Sequence, residues 1–209
     1  MDKSKIYLIA IGLLMLLGIS VDGKSLIHKQ NHDPQKILIV YLSRTNNTKA
    51  IADMIHQQIG GKQVALELVN PYPKDYQTTV AQVAHENETG FLPPLKTTIG
   101  NIEQYDLIFV GFPTWGMQLP PPVKSFLKQY NLKGKTIIPF NTNAGYGVGN
   151  SIETIRKLCP ESKLLDGYTT RGGIEKEGKL LMIKDDKAVS TANEVQQWLR
   201  KIGILKGIK

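Results

Sequence analysis

The sequence predicts a three-layer α/β/α domain on a parallel sheet of five strands, and three observations predict it. Apolar runs alternate with amphipathic stretches from residue 36 onward. The runs at 105–112 and 134–142 are too continuously apolar to present a face to water, as befits strands covered on both sides. A chain of 209 residues suffices for one well-buried α/β domain and is short for two.

The elements follow in order. "MDKSK" and the apolar "IYLIAIGLLMLLGI" have the charge and length of a signal peptide over 1–23, too short for a comfortable membrane span. The expectation is export, to a periplasmic or extracellular location, or anchoring to the membrane by an uncleaved N-terminal segment. Residues 24–35 are polar and contain Asp33-Pro34, which reads as a linker, so the domain is expected over 36–209. Residues 36–42 form a first strand, and 49–59 a helix closed by Gly60-Gly61. A second strand fits 63–69, and "NPYPKDY" turns the chain into a polar helix around 75–88. Strands at 105–112, 134–142 and 162–170 alternate with helices at 121–130, 149–158 and 188–202. The last helix carries Val189, Ala192, Val195, Leu199 and Ile202 along one face.

Composition narrows the function. A formal charge of +8 and a pI near 9.4 suit an anionic partner or surface. No Lys/Arg block longer than a pair and no aromatic-basic repeat occurs, so nucleic acid is not the expected partner. Cys159 is the only cysteine, which excludes an intrachain disulfide, and its apolar setting predicts a buried, inert thiol. The four histidines lack ligand spacing, and no metal site is expected.

In such a sheet ligands gather at the carboxyl ends of the strands, which directs attention to the loops 43–48, 113–120 and 141–149. The first reads Ser43, Arg44, Thr45, Asn46, Asn47, Thr48 at a strand-to-helix turn, where free amides and the helix dipole favour an anion. Ser43, Thr45 and Thr48 add hydroxyl donors, and an Asn tolerates the left-handed backbone that a tight cradle needs. There is no GxxxxGK, so a monophosphate fits better than a nucleoside triphosphate. The plain alternative is one helix cap, for which six polar residues in a row are more than enough. The second loop, Pro113, Thr114, Trp115, Gly116, Met117 and a proline run, forms a stiff apolar ledge for a flat ring, against the alternative of a core tryptophan. The third, Asn141, Thr142, Asn143, Ala144, Gly145, Tyr146 onward, lacks the glycine offsets of a dinucleotide fingerprint even though Asp166 lies at a plausible distance. It reads as a backbone loop able to meet a planar ligand, or as a plain Gly-rich turn. A phosphate cradle and two ring-contacting loops describe a mononucleotide with a flat heterocycle, FMN.

The stretches "ILIVYLSRTNNTKAIA", "YDLIFVGFPTWGMQLPPPVKSFL" and "IIPFNTNAGYGVGNSIETI" resemble the flavodoxin family, specifically a bacterial flavodoxin-like branch, over roughly 36–202. The resemblance implies a flavodoxin-like fold with strand order 2-1-3-4-5. It implies that Ser43, Thr45 and Thr48 hold the phosphate with the amides of Arg44, Asn46 and Asn47. It implies that Trp115 stacks on the ring, that Thr114 and Gly116 line its edge, and that Asn141 to Tyr146 oppose it. Asn46 stands where the family carries Gly, and the basic charge departs from the acidic surface of typical electron-carrying members. The function implied is electron transfer, or reduction of a small substrate, through bound FMN. The partner is a redox protein or a small-molecule acceptor, with NAD(P)H as a possible donor. The alternatives are an NAD(P)H-dependent flavin or quinone reductase, and a non-redox binding module. No Ser-His-Asp, carboxylate-pair or Cys-His set predicts catalysis by side chains.

Overall fold

The computed structural model describes residues 32–206, so the expected leader over 1–23 and most of the expected linker lie outside the described residues. Asp33 caps a short 3-10 turn, Pro34–Lys36, that leads into the first strand. The chain then alternates as β1 (Ile37–Tyr41), α1 (Asn47–Ile59), β2 (Lys62–Ala65), α2 (Tyr76–Thr89), β3 (Leu107–Pro113), α3 (Pro121–Gln129) and β4 (Thr136–Asn143). It ends as α4 (Ser151–Leu158), β5 (Lys163–Leu164), β6 (Tyr168–Arg171) and α5 (Asp185–Lys201). The strand order is β2-β1-β3-β4-β5 with every pairing parallel, the order expected.

Alternation along β1 divides the core. Leu38 and Val40 face a layer containing Val123 and Phe126 of α3 and Ile155 of α4. Ile37, Ile39 and Tyr41 face α1 and α5 through Ile51, Ile55, Val195 and Leu199. β1 is buried along its whole length, which is why its sequence shows no polar alternation. β2 is shorter than the expected 63–69 because it is the sheet edge and its side chains are only partly covered. Cys159 is buried, and burial pushes its thiol up to about 11, consistent with an inert role.

The expected fifth strand is present in two pieces, both paired with β4. Ile137 faces Leu164, but Phe140 faces Tyr168, so one extra residue on the outer strand bulges opposite Ile138 and Pro139. Pro139 has no N–H to offer a ladder, which locates the break. Gly167 fits at the bulge because a Cβ there would come within 2.9 Å of the Pro139 carbonyl. The freed carbonyl of Asp166 accepts a hydrogen bond from the Trp198 indole at 2.9 Å.

Candidate functional site: a phosphate cradle and an aromatic ledge

β1 ends against the amino end of α1, and Asn46 makes the connection in the left-handed region with φ 62. Its side chain caps nothing. Among the described residues, none accepts a hydrogen bond from the backbone N–H of Arg44, Thr45, Asn46, Asn47 or Thr48. These consecutive donors stand at the positive end of a 13-residue helix with no carboxylate in its first turn. The hydroxyls add to them. Ser43 Oγ accepts from the Lys49 amide at 3.2 Å, and Thr45 Oγ1 accepts from Asn47 Nδ2 at 2.9 Å. Each uses a lone pair and keeps its proton for an external acceptor. Thr48 Oγ1 lies 2.8 Å from Thr142 Oγ1, joining the first loop to the third. A phosphate dianion, which is all acceptor, fits this donor set.

Arg44 and Asn47, expected to offer the anion their amides, commit their side chains elsewhere. The Arg44 guanidinium turns outward, with Nε 2.6 Å from Glu175 Oε1 and the two terminal nitrogens donating to the carbonyls of Pro73 and Lys74 at 2.9 and 2.7 Å. Asn47 is buried, its Nδ2 donating to Leu180 O at 2.6 Å while its Oδ1 accepts from the amides of Met182 and Ile183 at 2.9 and 3.1 Å. Only their backbone amides remain for a phosphate. Both side chains hold a strap, residues 172–183, that returns from β6 across the cradle. Gly172 packs so closely that a Cβ would lie 3.1 Å from Asn47 Cβ. The strap escaped the sequence reading, since its partners are more than 130 residues away in the chain. Its one signal is the apolar "LLMI" set among charged residues.

The ledge forms at the end of β3. Trp115 and Gln118 exchange backbone hydrogen bonds of 3.3 and 3.0 Å around Gly116 and Met117, both at positive φ (56 and 60), as a type I′ turn requires. Trp115 is half-buried and meets Tyr72 edge to face at 5.4 Å. The Tyr72 hydroxyl donates to Glu86 Oε2 at 2.5 Å, and Gln82 Nε2 donates to Glu86 Oε1 at 2.8 Å. Burial first, and then the Glu86 contact, push the Tyr72 hydroxyl far above its ordinary range, so it stays a protonated donor. A cavity of about 410 Å³ opens against Trp115 and Gly116, with Val80 and Val83 of α2 on one wall and Arg44 and Glu175 on another.

The third loop is tied to the second rather than separated from it. Asn141 is buried, and its Nδ2 donates to Phe112 O and Thr114 Oγ1, each at 3.0 Å. Thr114 Oγ1 donates to Gly147 O at 2.8 Å. Asn143 Oδ1 accepts from the amides of Gly145 and Gly147 at 2.8 and 3.1 Å. Gly149, at φ 56, lets the Asn150 amide reach Met117 O at 3.0 Å, where a Cβ would collide with that oxygen. Thr114, Trp115, Gly116 and Arg44 thus share one cavity, while Pro113 closes β3 and Met117 lies at the turn. Tyr146 is 80% exposed at the loop tip and lines none of that cavity.

A family described as Flavodoxin matches residues 36–201. The chain belongs to the flavodoxin family. No curated relative matches this flavodoxin-family sequence. Among solved structures it is similar to a candidate flavoprotein of Bacteroides eggerthii, at 26% identity over 81% of this chain and 98% of that one, with a TM-score of 0.66. A second, from Bacteroides uniformis, gives 22% identity over 80% and 99% with a TM-score of 0.65. A Lactobacillus acidophilus flavoprotein solved in complex with FMN gives 21% over 69% and 98%, with a TM-score of 0.59. The fold is therefore that of the flavodoxins. Among the described residues no helix is long and apolar enough to cross a membrane, and no group of His, Cys, Asp and Glu is placed to hold a metal.

Proposed function

We propose that this flavodoxin-family protein binds FMN and passes electrons through it to a partner protein or a small acceptor. The observation that carries the reading is the run of unpaired amides from Arg44 to Thr48, flanked by the hydroxyls of Ser43, Thr45 and Thr48. The FMN complex of the Lactobacillus acidophilus flavoprotein, which shares the fold, supports the choice of mononucleotide. When bound, FMN supplies one- and two-electron chemistry. The chain's own part is to bind and orient. The cradle holds a phosphate, the Trp115 indole offers a flat apolar wall, and the Tyr72 hydroxyl anchored on Glu86 keeps that wall upright. The leader-like residues 1–23 add a proposal of export or anchoring, to be checked by sequencing the mature N-terminus.

The absorption spectrum of the isolated protein and an FMN titration test the cofactor. Replacing Thr45 and Thr48 together by Val is expected to weaken FMN by about 1.5–3 kcal/mol for each lost hydrogen bond to the charged phosphate. Unchanged affinity overturns the cradle. Anaerobic mixing with NADH and NADPH then separates a carrier, reduced only by a partner, from a reductase that oxidises the nucleotide directly.

A further inference from the structure

The strap that holds the cradle also carries apolar surface. Leu180, Leu181 and Met182 are consecutive and 52%, 38% and 40% exposed, although their neighbour Ile183 is buried. Beside them lies a socket of about 340 Å³ with Ile174 and Met182 among its apolar walls and Arg171, Lys179 and Lys187 around it. Glu177 neutralises Lys179, which leaves Arg171 and Lys187 as the rim cations outside any salt bridge among the described residues. Glu175 is turned to Arg44, and Glu177, which also feels Arg171, is held by Lys179 at 2.7 Å. Asp185 and Asp186 share the stretch 171–187 with Arg171, Lys176, Lys184 and Lys187. The socket adjoins the cradle, because Gly172 packs on Asn47 and Thr142 while the Met182 amide bonds Asn47.

We propose that this socket, with Leu180 and Leu181 beside it, docks an acidic redox protein that presents an apolar side chain among carboxylates. An apolar centre with a charged rim is how a protein interface is built. The sign of the rim and the net charge of +8 select an acidic partner and disfavour a second copy of this chain. Electron delivery at this face rests on the FMN reading, whereas the docking does not.

Two measurements on the full chain test it. Calorimetric titration of the flavin-free protein with an acidic haem protein, cytochrome b5, and a basic one, cytochrome c, reads docking alone. Binding of the acidic protein that weakens as salt is raised, and falls about tenfold or more in the double variant Arg171→Glu and Lys187→Glu, is expected. Leu181→Ser is expected to weaken binding while leaving the salt dependence unchanged. Stopped-flow transfer from photoreduced, FMN-loaded protein should show the same preference, with benzoquinone as a neutral acceptor unaffected by the charge reversals. Preference for cytochrome c, or indifference to the reversals, overturns the proposal. So does a charge reversal that instead abolishes binding to phosphatidylserine vesicles or raises the KM for NADPH, which would assign the socket to a membrane or a dinucleotide. A chain that docks cytochrome b5 but takes up no FMN defeats the cofactor reading and leaves the docking surface standing.

Discussion

The first and third loops both join a strand to a helix and both contain positive-φ residues, yet they are held in different ways. The cradle is fixed from a distance, with Arg44 reaching Glu175 and Asn47 reaching Leu180, Met182 and Ile183. The third loop is held partly from within, by Asn143 bonding amides two and four residues ahead, and partly by the second loop through Thr114 and Met117, while its tip Tyr146 stands in water. A site that must grip a small anion gains from fixing its donors beforehand, since little ordering is then left for the moment of binding. A loop that is to meet a large flat ring gains from a tip left free to adjust, and Tyr146 lies beyond these ties.

Cutting the distant ties should therefore cost most. Asn47→Ala strands the amides of Met182 and Ile183 and the carbonyl of Leu180, and about 3 kcal/mol of stability is expected to go, read from urea unfolding. FMN affinity should fall with it although no side-chain contact to the phosphate is lost. Next comes Gly149→Ala, which forces a Cβ onto Met117 O at positive φ and should cost about 1–3 kcal/mol while parting the second and third loops. Asn143→Ala is expected to cost about 1 kcal/mol or less, with a severalfold weaker FMN titration as its main effect. The smallest effect belongs to Glu175→Gln, about 0.5 kcal/mol, because the Arg44 guanidinium keeps its two carbonyl acceptors. A larger loss from Asn143→Ala than from Asn47→Ala would reverse the comparison.

Much of this was legible in the sequence. The apolar runs at 105–112 and 134–142 gave away strands buried on both faces, β3 and β4, and the polar cluster at 43–48 gave away a turn with more donors than one helix cap needs. That an Asn takes the left-handed position follows from residue type, and that it is Asn46 rather than Asn47 agrees with the glycine position of the family resemblance. What could not be read was which side chain serves the ligand and which serves the protein. The amide of Asn47 is legible as a phosphate donor but the commitment of its side chain to Leu180, Met182 and Ile183 is not, and periodicity says nothing about a strap with one 3-10 turn and no other regular element. The break in the outer strand has a visible cause in Pro139, but the cause lies in the neighbouring strand, and pairing register is not written in either sequence alone.

The two tryptophans of this chain occupy opposite sides of the sheet. Trp198 is buried against Phe109 and Tyr168, and Trp115 borders the cavity. The protein thus carries two built-in optical probes. In a Trp115→Phe variant, the remaining emission follows unfolding from the α5 side, and the light lost relative to the parent belongs to the indole at the ledge. Arrival of a coloured cofactor and loss of the native core can then be timed separately in the same cuvette.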